Sequence, residues 1–250
     1  LDEQTKKAVN STLNSLKTST KKWFIKYNSK KIQKGDTFIA LKTNNDGHKY
    51  INDAIKNGAT KVVAEYGSYP VETLLVDNTK EYLVKYLYEN YYQEIKDLKL
   101  IGITGTNGKT TTCMLLHNML NMLGRKTAYI GTNGFYINKF IKELPNTTPE
   151  ILDIYELLIE AKKEGCEFVC IEASSHGLAQ NRLENLKFDY AIFTNLTHEH
   201  LGYHKTMKNY ALAKQKLFTM LRNNKYAIIN NDDNYKNYFI LKENNNITYS

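Results

Sequence analysis

The side chains best suited to chemistry lie in a glycine-rich run, Gly102 to Thr112, near the middle of the chain. An apolar run, Leu98 to Ile103, leads into it, and apolar residues at helical spacing follow it. A glycine-rich turn between a strand and a helix lets backbone N–H groups approach phosphate oxygens closely. In such a loop Lys109 would reach the phosphates of a nucleotide, and the Thr110 hydroxyl would hold Mg²⁺.

The spacing of this run departs from the general phosphate-loop pattern G-x-x-x-x-G-K-[ST]. Gly105 lies too close to Gly108 to be the first glycine of that pattern, and Gly102 lies too far from it. A glycine-rich turn that carries a surface lysine is therefore the alternative. The predicted strand before the run and the predicted helix after it favour the phosphate loop.

Polar groups also follow two other predicted strands. The strand at 167–171 is followed by Glu172, and the strand at 189–193 is followed by the run Thr194 to His200. Ligands of open α/β sheets bind at the carboxyl ends of the strands, so these groups are expected to converge on the phosphate loop. A carboxylate there suits Mg²⁺ beside Thr110. A helix-capping acid and surface histidines are the alternatives.

The elements that position these residues alternate between strands and helices, which predicts an α/β fold with a mostly parallel, doubly wound sheet. A small α/β unit precedes the phosphate loop, and the polar segment Gln93 to Lys99 marks the boundary. The helix at 148–164 is expected to begin with Thr148 as its cap and Pro149 at its first position. The other predicted helices cover residues 1–20, 50–57, 79–92 and 206–221. The predicted strands cover residues 37–41, 61–64, 73–76, 98–103, 127–130, 167–171, 189–193 and 226–229 (the last strand), with a hairpin or extended loop at 131–142.

Composition narrows the class of protein. The chain has 250 residues and a net charge of +8, but its lysines are scattered, and Lys21 to Phe24 is the nearest approach to a basic stripe with aromatics. Because the lysines are scattered, nucleic acid is not an expected partner. A membrane is not an expected partner either, since no apolar run has transmembrane length. Three cysteines without framework spacing indicate a reducing compartment. Zinc at Cys166, Cys170 and His176 is conceivable, but buried thiols are favoured.

Several runs together resemble one known family. The segment Gly105 to Thr111 is similar to the ATP loop of the Mur ligases and of their folylpolyglutamate synthetase relatives. The resemblance is specific to the MurE branch, ligases that add the third residue of the peptidoglycan stem to a UDP-N-acetylmuramoyl-dipeptide. It spans about residues 28–233. The runs that carry it are Ser29–Ala40, Asp46–His48, Asn146–Glu150, Glu172–Arg182, Thr194–His200 and Tyr210–Phe218.

The resemblance implies an activity: ATP phosphorylates the terminal carboxylate of the dipeptide, and the amine of an amino acid attacks the acyl phosphate to form an amide. It also implies cofactor sites. Thr110 and Glu172 would hold one Mg²⁺, and His200 would help to place a second. Lys214 matches a lysine that the family carbamylates; without the resemblance it would be interpreted as an exposed helix lysine. The ATP-binding residues implied are Gly105, Thr106, Asn107, Gly108, Lys109, Thr110 and Thr111, and the catalytic ones are Lys109, His200 and Lys214.

The resemblance further implies how the substrate binds. Ser29 and His48 would lie near uridine. The muramoyl and diphosphate groups would contact Thr147, Thr148, Ser174, Gln180 and Arg182, and Arg182 suits phosphate because its geometry is bidentate. A surface salt bridge is the alternative for Arg182. The protein is expected to be a cytoplasmic monomer of cell-wall synthesis, with roles in cell shape and division, whose partners are the UDP-muramoyl-dipeptide and an amino acid.

The resemblance divides the chain into a UDP-sugar-binding domain, residues 1–97, and a central ATP-binding domain, residues 98–250. The family's ATPase domain continues further, and a third domain binds the incoming amino acid, so a longer protein is expected. Glu199 and Gly202 stand where the family usually has Asp, and Asn28-Ser29-Lys30 replaces Asp-Ser-Arg. A folylpolyglutamate or cyanophycin type of ligase, and a nucleotide-binding fragment without catalysis, are the alternatives.

Overall fold

The computed structural model describes residues 25–43 and 45–250. Its contacts divide the chain into two compact units, Leu1–Leu83 and Val84–Ser250, which we describe separately. The boundary that the resemblance places after residue 97 stays a prediction. The helix predicted for residues 1–20 and the basic run at 21–24 lie outside the described residues.

The N-terminal unit contains a four-stranded sheet with its strands in sequence order, and every neighbouring pair is parallel. Its strands are β1 (Ile25–Lys26), β2 (Thr37–Ile39), β3 (Lys61–Ala64) and β4 (Glu72–Leu75). A short helix, α1 (Ile51–Lys56), packs with these strands through a core that includes Phe38, Ile51 and Val62. Short 3₁₀ turns at Ser29–Lys31 and Gly47–Tyr50 complete the described elements of this unit.

Helix α2 (Thr79–Ile95) contains the division between the two units and is longer than predicted. Leu83, Leu87, Tyr91 and Ile95 are all buried and recur at every fourth position. This spacing keeps them on one helix face, so the apolar stripe extends through the segment that we assigned to a polar boundary. The prediction that the helix ends at residue 92 is therefore wrong by one turn.

The second unit contains an eight-stranded sheet in the order β12-β11-β10-β5-β9-β6-β7-β8. The first six strands of this order, from β12 to β6, run parallel to one another. Strands β7 and β8 extend the sheet beyond β6 with antiparallel pairing. This confirms the mostly parallel α/β sheet and the hairpin. The strands are β5 (Lys99–Thr104), β6 (Thr127–Gly131), β7 (Gly134–Ile137), β8 (Lys139–Lys142), β9 (Phe168–Glu172), β10 (Phe188–Phe193), β11 (Leu221–Asn230) and β12 (Asn245–Tyr249).

Strand β5 lies at the centre of this sheet between β9 and β10. The chain leaves β5 toward β6 on one side and later returns across it from β9 to β10, so the strand order reverses there. Such a switch point opens a crevice at the carboxyl ends of the strands. The segments that follow Thr104, Glu172 and Phe193 therefore meet at one edge of the sheet.

The helices of this unit are α3 (Lys109–Met122), α4 (Ile151–Lys163), α5 (Ser175–Ala179), α6 (Leu201–His204) and α7 (Met207–Thr219), and a 3₁₀ turn covers Lys236–Tyr238. Two predictions fail. Thr148 does not cap α4, because the cap residue is Glu150 and the Thr148 hydroxyl bonds elsewhere. Residues 226–229 are not the last strand, because β12 follows at the edge of the sheet.

All three cysteines of the chain lie among the described residues. Cys113, Cys166 and Cys170 are free and buried, as expected for thiols in the core. Residues 25–43 and 45–250 contain no group of three or more His, Cys, Asp or Glu side chains that could hold a metal ion. Among the same residues, we find no helix with the length and apolar character needed to cross a membrane.

Candidate active site

The glycine-rich run forms a loop between the end of β5 and the start of α3, as predicted. Gly108 precedes the helix with φ of +82°, a left-handed conformation that glycine adopts without steric cost. A Cβ atom on Gly105 would lie 1.9 Å from Thr194 Oγ1, so only glycine fits there. By helix geometry the first-turn N–H groups of α3 have no intrahelical acceptor. The loop therefore offers an anion site at a helix N-terminus.

The segment after β10 holds this loop in place. Asn195 accepts hydrogen bonds from Thr106 N at 2.8 Å through its carbonyl and from Asn107 N at 2.9 Å through Oδ1. The Thr194 hydroxyl donates to the Asn107 carbonyl at 2.7 Å. Asp233, which follows β11, in turn accepts from Leu196 N at 2.7 Å. Two strand ends thus fix the backbone of the phosphate loop.

Lys109 folds back over the loop. Its Nζ donates to the Gly105 carbonyl at 2.9 Å and to the Thr106 carbonyl at 2.7 Å. Burial lowers the pKa of Lys109, while the Glu172 and Glu199 carboxylates act in the opposite direction. The ammonium group is thus held at the loop by neutral carbonyl oxygens, which an anionic phosphate can replace.

Glu172 ends β9 and is fully buried. Its Oε1 accepts hydrogen bonds from the Tyr129 hydroxyl and from Thr132 N, the latter at 3.0 Å. Its Oε2 accepts from Thr110 Oγ1 at 2.8 Å and from Thr132 Oγ1 at 3.3 Å. The structure thus brings together the carboxylate and the hydroxyl that the sequence assigns to one Mg²⁺.

Lys214 lies on α7 and is 1 % exposed, so its interpretation as an exposed helix lysine is wrong. Its Nζ donates to the Gly105 carbonyl at 2.6 Å and lies 4.5 Å from the centroid of the Tyr210 ring. Burial, and secondarily the nearby Lys109 charge, lower the pKa of Lys214 to about 6. At neutral pH the side chain is therefore mostly a neutral amine that touches the phosphate loop.

His200 precedes α6 in a left-handed conformation with φ of +56°. Its Nε2 is 3.8 Å from Glu199 Oε2, and its ring centroid is 5.0 Å from that of His176. His204 is buried beside them, and burial lowers its pKa to about 4. His200 is the exposed member of this histidine cluster, defined as His176, His200 and His204.

Four of the residues assigned to the muramoyl and diphosphate groups, Thr148, Ser174, Gln180 and Arg182, form one hydrogen-bonded patch. The buried Thr148 hydroxyl donates to the Glu172 carbonyl at 2.7 Å and lies 3.0 Å from Ser174 Oγ. Ser174 Oγ accepts from Gly177 N and caps α5. Thr147 is only half-buried, and its hydroxyl is 3.0 Å from that of Thr132.

Arg182 is 7 % exposed, so the alternative of a surface salt bridge is wrong. Its Nη1 donates to the Thr148 carbonyl at 2.8 Å and its Nη2 to Gln180 Oε1 at 2.6 Å. Its Nε lies 2.9 Å from Glu150 Oε1 in a buried ion pair. In this arrangement the guanidinium group joins the segment before α4 to the segment after α5.

Because Arg182 is buried and ion-paired, Arg182→Ala should lower the free energy of unfolding by about 3–5 kcal/mol, since removing one partner of a buried ion pair is strongly destabilising. Urea denaturation measures this loss. The matched control is Arg125→Ala, since Arg125 is 60 % exposed and pairs with Glu167 at the surface, where about 0–1 kcal/mol is expected. Equal losses for the two variants would contradict a structural role for the Arg182 pair.

The two N-terminal site residues lie in different settings. Ser29 borders a cleft of about 600 Å³ that Tyr27, Lys30, Tyr50 and Asn57 also line. His48 is not among the residues that line this cleft; it is buried and stacks on Tyr66 with ring centroids 4.0 Å apart. Its Nε2 accepts from Glu65 N at 2.9 Å and its Nδ1 is 2.6 Å from Asp46 Oδ1.

Three residues around the site were not assigned a role from the sequence. Tyr129 and Thr132 hold Glu172, and Asp233 holds the segment after β10. Thr132 follows the end of β6, so the rule that ligands bind at strand ends could have identified it. Tyr129 lies inside β6, where a tyrosine is typical of any buried strand, and the sequence carries no signal of its partner.

Comparison with known proteins agrees with this geometry. The model of the Mur ligase middle domain matches residues 103–250. UDP-N-acetylmuramoyl-L-alanyl-D-glutamate–2,6-diaminopimelate ligase of Fusobacterium nucleatum is 41 % identical over 216 residues, which are 84 % of this chain and 44 % of the relative. UDP-N-acetylmuramyl-tripeptide synthetase 2 of Oceanobacillus iheyensis is 39 % identical over 225 residues, 86 % of this chain and 46 % of the relative.

A solved structure is also similar. A structure of UDP-N-acetylmuramoyl-L-alanyl-D-glutamate–2,6-diaminopimelate ligase aligns with a TM-score of 0.75 and 31 % identity, covering 91 % of this chain and 48 % of that one. The chain thus spans somewhat less than half the length of these relatives. Because the family model matches more than half of the chain, the chain belongs to the Mur ligase family.

Proposed function

We propose that the protein of which this chain is a part is an ATP-dependent ligase of peptidoglycan synthesis. It joins an amino acid to UDP-N-acetylmuramoyl-L-Ala-D-Glu through an acyl phosphate. The observation that carries the proposal is the convergence of three groups on one phosphate loop. Lys109 and Lys214 both donate to the Gly105 carbonyl, and Thr110 faces the buried carboxylate of Glu172.

The residues at the loop fit ATP and Mg²⁺. Glu172 Oε2 and the Thr110 hydroxyl oxygen are 2.8 Å apart. Both are hard oxygen ligands, the type that Mg²⁺ prefers beside phosphates. Thr110 and Glu172 would hold one ion, and His200 with a carbamylated Lys214 would hold the second. Bound there, Mg²⁺ would neutralise charge on the transferred phosphoryl group.

Groups of the protein itself would bind the phosphates at the loop and stabilise the charge on them. The first-turn N–H groups of α3 and the Lys109 ammonium would bind the phosphates and stabilise the charge that develops during transfer. Lys214, neutral and buried, could add its Nζ to CO₂ and release one proton, which gives a carbamate anion. This reaction needs the free amine, and the lowered pKa of Lys214 supplies it.

The cleft of the N-terminal unit is the proposed uridine site, and Lys30 places a positive charge at its border. Lys30→Glu should weaken binding of UDP about tenfold, because one reversed charge near a diphosphate changes the free energy by about 1–2 kcal/mol at a solvated surface. Calorimetric titration with UDP measures this. Lys34→Glu is the matched control, since Lys34 is exposed and outside the cleft. Equal weakening by both variants would contradict a uridine site here.

The proposed activity is tested by calorimetric titration of this chain with UDP-N-acetylmuramoyl-dipeptide, with and without MgATP. Phosphate release by the full-length protein, with the dipeptide or with folate as acceptor, is measured in parallel. Turnover with folate alone would contradict the peptidoglycan assignment in favour of a folylpolyglutamate type of ligase. Nucleotide binding without turnover by this chain, beside turnover by the full-length protein, would show that catalysis needs the remaining sequence.

We also propose that the protein acts in the cytoplasm as a monomer, where ATP and the nucleotide-linked substrate are available. Sedimentation equilibrium of the full-length protein tests the monomer, and a stable dimer would contradict it. The scattered lysines of the sequence give no support to a nucleic-acid partner.

A further inference from the structure

The two oxygens of the Glu172 carboxylate have different partners. Oε1 accepts from the Tyr129 hydroxyl and from the rigid backbone N–H of Thr132. Among the residues that the structure describes, the donors to Oε2 are the hydroxyl groups of Thr110 and Thr132, at 2.8 and 3.3 Å. A hydroxyl can rotate its proton away and present a lone pair instead, whereas a backbone N–H cannot. One oxygen is therefore fixed to the protein, and the other can exchange its partners.

The surroundings of Oε1 keep that oxygen where it is. Tyr129 is fully buried, and its ring packs edge-on against Tyr136 at a centroid distance of 5.6 Å. A Cβ atom on Gly131 would lie 2.2 Å from Oε1, so no other residue fits beside it. The Tyr129 hydroxyl donates to Oε1 and accepts from Asn133 N at 3.2 Å, so its position is fixed from both sides.

We infer that Tyr129 is a positioning residue that reserves Oε1 of Glu172 for the protein, so that Oε2 alone, beside the Thr110 hydroxyl, receives the magnesium ion. The inference rests on the proposed function, because it concerns the ion that accompanies the nucleotide. It assigns a role to a side chain whose hydroxyl bonds to Glu172 rather than to the loop backbone. A partner of this kind orients a metal ligand, and its loss typically weakens the metal site.

The test is a magnesium titration of the full chain with a fluorescent ADP analogue as the probe. Tyr129→Phe should raise the Mg²⁺ concentration needed for half-maximal Mg²⁺-dependent binding about 10- to 100-fold, the usual cost of losing such a partner. Binding of the probe in EDTA should not change, which a general loss of structure would not allow. The matched control is Tyr136→Phe, which removes a hydroxyl from the same aromatic cluster but not from the donors to Glu172.

A second variant disturbs the same hydrogen bond without removing the tyrosine. Gly131→Ala places a methyl group against both Oε1 and the Tyr129 hydroxyl, at 2.2 and 2.5 Å, and should raise the Mg²⁺ requirement in the same direction. The inference is overturned if Tyr129→Phe is folded by circular dichroism and needs no more Mg²⁺ than Tyr136→Phe. If Tyr129→Phe does not fold, the same comparison is made between Gly131→Ala and Tyr136→Phe. Glu172→Gln distinguishes the role of Tyr129 from the existence of the magnesium site. If it abolishes the Mg²⁺ dependence and Tyr129→Phe does not change it, only the role of Tyr129 fails; if wild-type binding shows no Mg²⁺ dependence, the proposed metal site fails as well.

Discussion

Replacement of Lys109 by Met should weaken ADP and ATP binding at least about 30-fold, since removing one partner of a buried charged contact costs about 2–5 kcal/mol. The side chain is half-buried at the loop, and its Nζ contacts two loop carbonyls, so its charge lies where the phosphates would bind. Methionine fills a similar volume without the charge. Calorimetric titration with ADP and with MgATP measures the change in the dissociation constant.

The design separates loss of charge from loss of structure. Lys214 also donates to the Gly105 carbonyl, so the loop of the Lys109→Met variant keeps one of its donors and should remain folded. Lys99→Met is the control, because Lys99 lies at the other end of the same strand and pairs with Glu167 at the surface. Unchanged ADP affinity in a folded Lys109→Met variant would contradict a phosphate-binding role for this loop.

The second large effect concerns stability against pH. The pKa of Lys214 is about 6 in the folded chain and about 10.5 when unfolded, so unfolding takes up one proton between these values. The free energy of unfolding therefore rises with pH in this window, by at most about 1.4 kcal/mol per pH unit from this group. The contribution is complete above about pH 10.5 and is lost as the pH falls to about 6.

Lys214→Met removes this group, so the variant should gain stability relative to wild type as the pH falls from 9 toward 6. Urea denaturation of both proteins at several pH values measures the difference, in buffer free of bicarbonate so that the amine stays unmodified. Lys208→Met on the same helix is the control, because Lys208 is exposed. A constant difference between Lys214→Met and wild type across this window would show that Lys214 stays charged in the fold.

Addition of bicarbonate extends the same experiment to the proposed carbamate. It should alter the wild-type free energy of unfolding and leave that of Lys214→Met unchanged. A ¹³C carbamate signal present in wild type and absent in the variant would support modification at this position. The same response in both proteins would contradict it.

The burial of Lys214 was within reach of the sequence. Tyr210, Lys214, Leu217 and Phe218 recur at the spacing of one helix face, so the lysine occupies a position on an apolar stripe. A charged residue on such a stripe is rarely left unpaired, which is itself an indication of function. Residue type alone favours an exposed lysine, whereas the position of Lys214 on this stripe predicts burial.

Other features could not be predicted because tertiary contacts decided them. The pair Thr148-Pro149 is a typical helix start, yet the Thr148 hydroxyl bonds to the Glu172 carbonyl and α4 begins at Ile151. Strand β12 is exposed along its whole length and has no apolar pattern, so only its pairing with β11 defines it. By contrast β5, β9 and β10 are buried on both faces, and their apolar runs predicted them correctly.

The close fit between Gly105 and Thr194 has a consequence for how the chain folds. The hydrogen bonds between the phosphate loop and the segment after β10 join residues 87 to 91 positions apart, so no local segment can form the loop alone. Closing so long a stretch of chain is slow, and the loop reaches its binding geometry only after β5 and β10 have paired. During refolding, binding of nucleotide should therefore appear after the signal of helix formation. The time at which binding appears would show when β5 and β10 have paired.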